Sequence, residues 1–305
     1  MPNQPSRQLL VIADDFGIGA QTTAGILQVA AAGVLSGSAF LVNTPTSVDA
    51  IRQWRKLGSP LELGWHPNLT LDTPVAEPAQ IPSLVRPDGT LWPLGSFLKR
   101  WMFGRFDAKE IHLELSLQLQ RFTELVGHPP RFVNFHQHIA LFPPVGKILL
   151  DVLSHLSVRP YVRRVREPWS VLPKISGARV KRVVLNSLGR RMSRMQEAQG
   201  FPGNDWLAGL TNPARVEDPK FFATWLKTVP GRVVELMCHP GLHDPTLIGR
   251  DCTETDGLLR QRVNEWRWLQ DPAFLRAANE AGFHLTTPTE LLFGRGGPMY
   301  SSRSA

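Results

Sequence analysis

The sequence predicts an α/β fold: a single (β/α) barrel-like domain of about seven parallel strands, with its active site at the strand C-terminal ends. Three observations carry that expectation. Apolar runs of strand length alternate with amphipathic helical stretches along the 305 residues, the pattern of a parallel sheet covered by helices. Chemically active side chains follow the apolar runs: Asp14 and Asp15 after the first, His66 after the third, His136 after the fourth and His239 after the sixth. No internal repeat or low-complexity tract interrupts the alternation, and 42% hydrophobic residues suffice for one large core.

Leu9, Leu10, Val11, Ile12 and Ala13 are consecutive apolar residues, the mark of a strand buried on both faces, and they run into Asp14, Asp15, Phe16 and Gly17. A helix is expected over 21–32, stopped by Gly33. A strand over 38–43, a helix over 48–57 and a strand over 62–65 follow, the last delivering His66. Residues 67–105 are too many for an ordinary connection and read as an active-site insertion. Asp107 is placed to cap a helix ending at Val126, and a strand over 131–135 delivers His136 and His138. A helix over 144–156 and a strand over 160–165 precede a second insertion, 166–212. A helix over 219–228, a strand over 232–237 that delivers Cys238 and His239, a helix from about 256 to 270 and a strand over 283–286 complete the series.

The net charge of +8 is local. Residues 159–195 hold eleven Lys or Arg against Glu167 alone, so this segment carries +10 and the remainder −2. One anionic partner fits that distribution; a nucleic-acid partner does not, because no recognised nucleic-acid-binding motif accompanies the charge. Within the segment Val180, Val183, Val184, Leu188, Met192 and Met195 recur at helical spacing, with Lys181, Arg182, Arg190, Arg191 and Arg194 between them. Residues 97–106, FLKRWMFGRF, mix Trp101 and Phe103 with basic residues in the same way. Two readings stand: helices packed on their own core, or cationic, apolar faces on a membrane surface. The chain starts with polar residues, contains no apolar run of about eighteen residues or more, and has only Cys238 and Cys252. The expected location is the cytoplasm, with the inner face of the membrane as the surface such helices would meet.

Asp14 and Asp15 repel one another if both are ionised, so the pair needs a cation, a shared proton, or the backbone N–H groups of the helix expected from Gln21. Three histidines that end different strands beside this pair point to a site. An aspartate with two imidazoles is a common open metal sphere, with positions left for water and substrate.

These residues lie in stretches that resemble the YdjC-like carbohydrate deacetylases: ADDFG at 13–17, GWHPNLT at 64–70, FHQH at 135–138 followed by Phe142 and Pro143, and ELMCHPG at 235–241. The likeness extends to Val162 with Arg163, to DWLAG at 205–209, and to Arg262 followed by Glu265, and so covers nearly the whole chain. The basic segment and WHPNLT are most similar to the hopanoid-biosynthesis-associated branch. The resemblance implies one divalent metal held by Asp15, His66 and His136, with Asp14 as general base and His239 as acid. Ligand type favours zinc; the family is often described with magnesium. The implied reaction is removal of an N-acetyl group from an N-acetylglucosamine-type sugar on a hopanoid glycolipid. Its alternatives are deacetylation of soluble chito-oligosaccharides and non-catalytic glycolipid binding. His138 is expected outside the metal sphere, because residues two apart on a strand share a face but only one usually reaches the ion. Asn68 and Thr70 are candidates for sugar contacts or for loop structure. Arg163 is a candidate for holding substrate, Arg164 and Arg166 are expected in solvent, and Cys238 is expected to be a buried small residue. Asn134 stands where many relatives have an aspartate. Oligomeric state is not legible.

Overall fold

The computed structural model describes residues 7–294. The first apolar run lies at the centre of its sheet, as β1 (Arg7–Phe16). Gln8 N–H donates to Arg232 O, whereas the carbonyls of Leu9 and Val11 accept from Thr286 and Ser36 on the opposite edge. β1 can therefore hold three neighbours. β2 (Gly37–Phe40) and a strand at 283–285 lie end to end along one edge, and a strand at 233–238 runs along the other.

Between β1 and β2 lies α1 (Ala20–Ala31), and after β2 come α2 (Ser47–Lys56) and β3 (Leu63–Trp65). The first insertion contains α3 (Leu94–Met102); α4 (Ala108–Val126), β4 (Phe132–Val133), α5 (Val145–Ser154) and β5 (Tyr161–Val162) follow. The second insertion contains α6 (Arg179–Ala198) and ends in β6 (Trp206–Ala208). The chain continues through α7 (Phe221–Thr228), β7 (Val233–Cys238), α8 (Leu258–Gln270), α9 (Pro272–Glu280), β8 (Phe283–Leu285) and α10 (Pro288–Phe293). The sheet order is β5-β4-β3-β2-β1-β7-β6 with β8 against β1, and every strand pairing is parallel. The sheet curls into a half-barrel whose ends meet: Val162 N–H donates to Pro202 O and Leu207 N–H to Arg166 O, both at 2.8 Å.

Alternation along β1 divides the core. Leu9, Val11 and Ala13 face the helices with Ile26 and Val29, whereas Leu10 and Ile12 point inward to Ala39, Phe132 and Tyr161. Each fully buried Leu or Ile stabilises the fold by about 1.5–3 kcal/mol, which is why the strand carries no polar residue between Gln8 and Asp14. Asp107 caps α4, accepting from Lys109 N at 2.8 Å, as expected. The first insertion is pinned from α4: the buried Glu114 carboxylate accepts from Val75 N (2.9 Å) and Ala76 N (2.8 Å), and Glu110 accepts from Ser83 N (2.7 Å).

The second insertion departs from the expectation in two ways. It includes β6, too short to show a strand period, and α6 is anchored by its charges as well as its apolar residues. Arg182, placed by periodicity among the membrane-facing residues, is fully buried and paired with Glu167 at 2.6 Å. Burial without Glu167 would leave a bare charge in the core, so the two are inseparable. Arg190 is half-buried between the indoles of Trp169 (5.2 Å) and Trp206 (5.7 Å). Gly189 lets α6 approach Val165 O so closely that a Cβ would lie 1.6 Å from it. Lys181, Arg191 and Arg194 are exposed, as are Val180 (80%) and Phe103 (63%), whereas Trp101 is half-buried, edge-on to Phe142 with its N–H donated to Pro143 O. Among the described residues, no helix is long and apolar enough to cross a membrane.

Arg182→Ala is expected to destabilise the fold by about 3–5 kcal/mol, whereas Arg191→Ala should stay within about 0.5 kcal/mol of the parent. Urea unfolding followed by circular dichroism measures both, and equal small effects would mean that the buried pair does not anchor α6.

Candidate active site

Adjacent residues of a regular strand face opposite ways, yet Asp14 and Asp15 both join the site. The register of β1 against β2 shifts between Ala13 and Phe16, and Asp15 takes a left-handed backbone with φ 69°. The bulge leaves Asp14 on the inward face of Leu10 and Ile12 and turns Asp15 back to the same end of the barrel. Each carboxylate then has its own guanidinium. Arg163 donates to Asp14 Oδ2 from Nη1 (2.6 Å) and to Oδ1 from Nη2 (2.7 Å), while Arg262 Nη2 donates to Asp15 Oδ2 (2.6 Å). Burial alone would raise the Asp14 pKa; the Arg163 guanidinium, helped by His66 and His239, brings it down to about 2. Asp15 is likewise held well below the usual carboxylate range, Arg262, His136 and His66 overcoming the cost of burial. Neither aspartate caps α1: Asp244 Oδ2 does so, accepting from Gln21 N (3.0 Å) and Thr22 N (3.2 Å).

His66 follows β3 directly. Its Nδ1–H is directed at Asn134 O (2.8 Å) and at the Asn134 side-chain oxygen, which leaves Nε2 facing Asp15 Oδ1 at 3.3 Å. Asn134 also donates from Nδ2 to Asp14 Oδ1 (2.9 Å), so one neutral amide serves an imidazole and a carboxylate together. An aspartate at 134 could accept from His66 but would set a second anion against Asp14. His136 Nδ1 lies 3.0 Å from Asp15 Oδ1, and its ring meets that of His66 edge-on at 5.3 Å. Asp15, His66 and His136 each offer one ligand atom within 4.8 Å of the others, all buried. Against the cost of burial, Asp15 and Asp251 raise the His136 pKa to about 10, the mark of a field that attracts cations. Two imidazoles and a carboxylate converging in such a field fit a divalent transition metal.

His239 follows β7, with its side chain 27% exposed at the mouth and Nε2 3.9 Å from Asp14 Oδ2. Its backbone N–H donates to Glu265, which lies one turn from Arg262 on α8, so one helix face braces both His239 and Asp15. Beneath Asp14, Arg163 also donates to Glu235, whose other oxygen accepts from Tyr161 OH at 2.6 Å.

Several sequence-derived assignments change. Arg163 is consumed by Asp14 and Glu235 and is not free to hold substrate. Asn68 is fully buried and organises its loop: Nδ2 donates to Asn43 Oδ1 and Leu71 O, and Oδ1 accepts from Thr70 N and Leu71 N. Thr70 Oγ1 donates to Gln137 Oε1 at 3.0 Å. Both are loop structure. Arg164 and Arg166 pair with Glu197 at 3.3 and 2.9 Å, partly shielded from solvent. His136 and His138 do not share a strand face. The strand stops at Val133, and a 3-10 turn, His136–Leu141, contains left-handed Gln137 (φ 52°) and His138 (φ 58°). His138 therefore lies outside the triad, buried, its Nδ1 without a partner among the described residues, and burial with Arg163 and Lys181 nearby lowers its pKa well below the usual value. Cys238 is the buried small residue expected, its thiol pushed up by burial. Asp251, which no motif or period marks, is also part of the site: its Oδ2 shares Arg262 Nη2 with Asp15 at 2.9 Å.

Residues 8–280 match the family model described as YdjC-like protein. A Danio rerio protein named carbohydrate deacetylase is 27% identical, over 92% of this chain and 97% of its own length. A Klebsiella pneumoniae protein named chitooligosaccharide deacetylase is 26% identical, over 92% and 98%. An Enterococcus faecalis V583 crystal structure, described as a candidate cellobiose-phosphate cleavage protein, superposes with a TM-score of 0.70 at 21% identity, over 94% of this chain and all of that one, and shares the fold.

Because the Asp14 pKa is lowered by folding, this group stabilises the protein fully above its ordinary pKa of about 3.9, and that contribution is lost as pH falls through about 2. Arg163→Gln should raise the Asp14 pKa and move acid unfolding to higher pH. A variant whose acid unfolding matches the parent would show that Arg163 does not hold Asp14 ionised.

Proposed function

The chain belongs to the YdjC-like family, and from that premise we propose that it is a metal-dependent hydrolase that removes the N-acetyl group from an N-acetylglucosamine-type amino sugar. The observation that carries the reading is the convergence of Asp15, His66 and His136 beside an ionised Asp14 whose two oxygens are already engaged. The full-length relatives named as carbohydrate and chitooligosaccharide deacetylases support the substrate class.

A divalent cation held by Asp15, His66 and His136 would supply polarisation of the acetyl carbonyl and acidification of a water. The chain's own groups do the proton work. Asp14 is anchored on both oxygens by Arg163 and Asn134, which keeps it from swinging in as a ligand and leaves it to take the proton of the attacking water. His239, braced by Glu265, is placed on the solvent side to return a proton to the departing amine. Two buried, unbridged cysteines are compatible with the cytoplasm as its compartment.

A soluble chito-oligosaccharide is the substrate nearest the relatives. A hopanoid glycolipid is the second reading, favoured by exposed apolar residues on two elements around the site. α6, with Val180 80% and Val184 48% exposed, packs against the turn that carries His136 and His138. α3, with Met102 69% exposed, meets the residues just after that turn through Trp101 and Phe142. Exposed Lys181, Arg191, Arg194 and Arg105 would favour an anionic membrane surface there.

Acetate release, with metal removed and restored, on a chito-oligosaccharide and on an N-acetylglucosaminyl hopanoid in parallel tests both readings. Metal-dependent release from the sugar alone removes the lipid, release from the lipid alone selects it, and silence on both overturns the activity. Asp14→Asn should keep its metal and lose about 10²- to 10⁴-fold in rate. His66→Ala and His136→Ala should lose metal by elemental analysis, and full occupancy in either would overturn the ligand set.

A further inference from the structure

The two imidazoles of the triad present different nitrogens to Asp15. His66 turns Nε2 inward, its Nδ1–H being taken up by Asn134, whereas His136 turns Nδ1 inward at 3.0 Å from Asp15 Oδ1. That leaves His136 Nε2 buried and without a hydrogen-bond partner among the described residues. A ligating imidazole almost always gives its second N–H to a carboxylate, carbonyl or water, which fixes the tautomer and raises the basicity of the ligating nitrogen. One carboxylate oxygen is in position to do this: Asp251 Oδ1, 3.5 Å from His136 Nε2, both side chains under 10% exposed. The other Asp251 oxygen is held by Arg262 at 2.9 Å, through the same nitrogen that holds Asp15 at 2.6 Å.

The loop carrying Asp251 is fixed from both sides. Asp251 N–H donates to Leu247 O (3.0 Å), and Gly249 N–H to Cys252 O (2.9 Å). The neighbouring Arg250 clasps Asp72 of the first insertion at 3.0 and 2.6 Å and reaches Ile18 O at 3.2 Å. The carboxylate is thus delivered to His136 by a loop tied across the end of β1.

We infer that Asp251 is a positioning residue: it accepts the Nε2–H of His136, so that Nδ1 is the metal-binding nitrogen, and with Arg262 it ties Asp15 and His136 into one unit. The inference rests on the metal reading above and adds to it a named tautomer and a named partner.

Zinc affinity measured by competition with a chromophoric chelator, without any assay of turnover, tests it. Asp251→Ala is expected to weaken zinc binding about 10- to 100-fold, and Asp251→Asn, which keeps an acceptor oxygen, to recover most of that loss. In the zinc-loaded parent, long-range ¹H–¹⁵N correlation should show His136 protonated at Nε2 and metal-bound at Nδ1. This measurement needs no variant and stands even if Asp251→Ala fails to fold. Unchanged affinity in Asp251→Ala, or zinc on Nε2 of His136, would overturn the role of Asp251 alone. A parent protein that binds no zinc would overturn the metal reading beneath it as well.

Discussion

The buried guanidinium of Arg163 is the constraint on which the centre of the barrel depends. It lies between two carboxylates, Asp14 and Glu235, on strands that neighbour each other, while Arg163 itself follows β5 at the far end of the sheet. An isolated charge in such a place would cost several kcal/mol, and two uncompensated carboxylates more. The pairing is made only when the sheet curls enough to bring the residue after β5 across the interior to β1. Curvature and charge compensation therefore require one another, and Tyr161, pointing into the same space, completes the network through Glu235.

A second cation resolves the repulsion within the Asp14–Asp15 pair. The bulge at the end of β1 brings both carboxylates to one end of the barrel, where each meets a different arginine, one from beyond β5 and one from α8. Asp14, with both oxygens engaged, keeps its charge and its place; Asp15, with Oδ1 turned to the two histidines, is the one left open to a cation. The roles proposed for them, base and ligand, thus follow from which oxygens the arginines leave free.

Much of this was legible in the sequence for a definite reason. In a parallel sheet, residues that follow apolar runs share one end of the fold, so Asp14, Asp15, His66, His136 and His239 could be grouped without coordinates. Partners separated by long stretches of chain could not. The 3.6-residue period of α6 sorts apolar from polar positions but does not reveal that Arg182 has Glu167 waiting inside while Arg191 has water. Arg163 looked available because nothing local shows Glu235 beneath it. Asp251 lies in an irregular loop with no periodicity, and only the tertiary structure sets it beside His136. The strand reasoning for His138 failed because two left-handed residues replaced the strand with a turn. β6 was missed because three residues are too few to establish a period.

The central position of β1 also governs how the molecule is assembled. Its partners come from residue 37 onward, from residue 233 onward and, last, from residue 283 onward, so among the described residues the first strand is completed by the eighth. Contacts of such sequence separation make the loop-closure entropy fall due before the core rewards it, which slows folding. Until residues 233–238 and 283–285 join, β1 is an apolar strand with one edge open and the other only half paired. An apolar strand left incomplete for so long is a surface on which partly folded chains associate, so refolding yield is expected to fall as protein concentration rises.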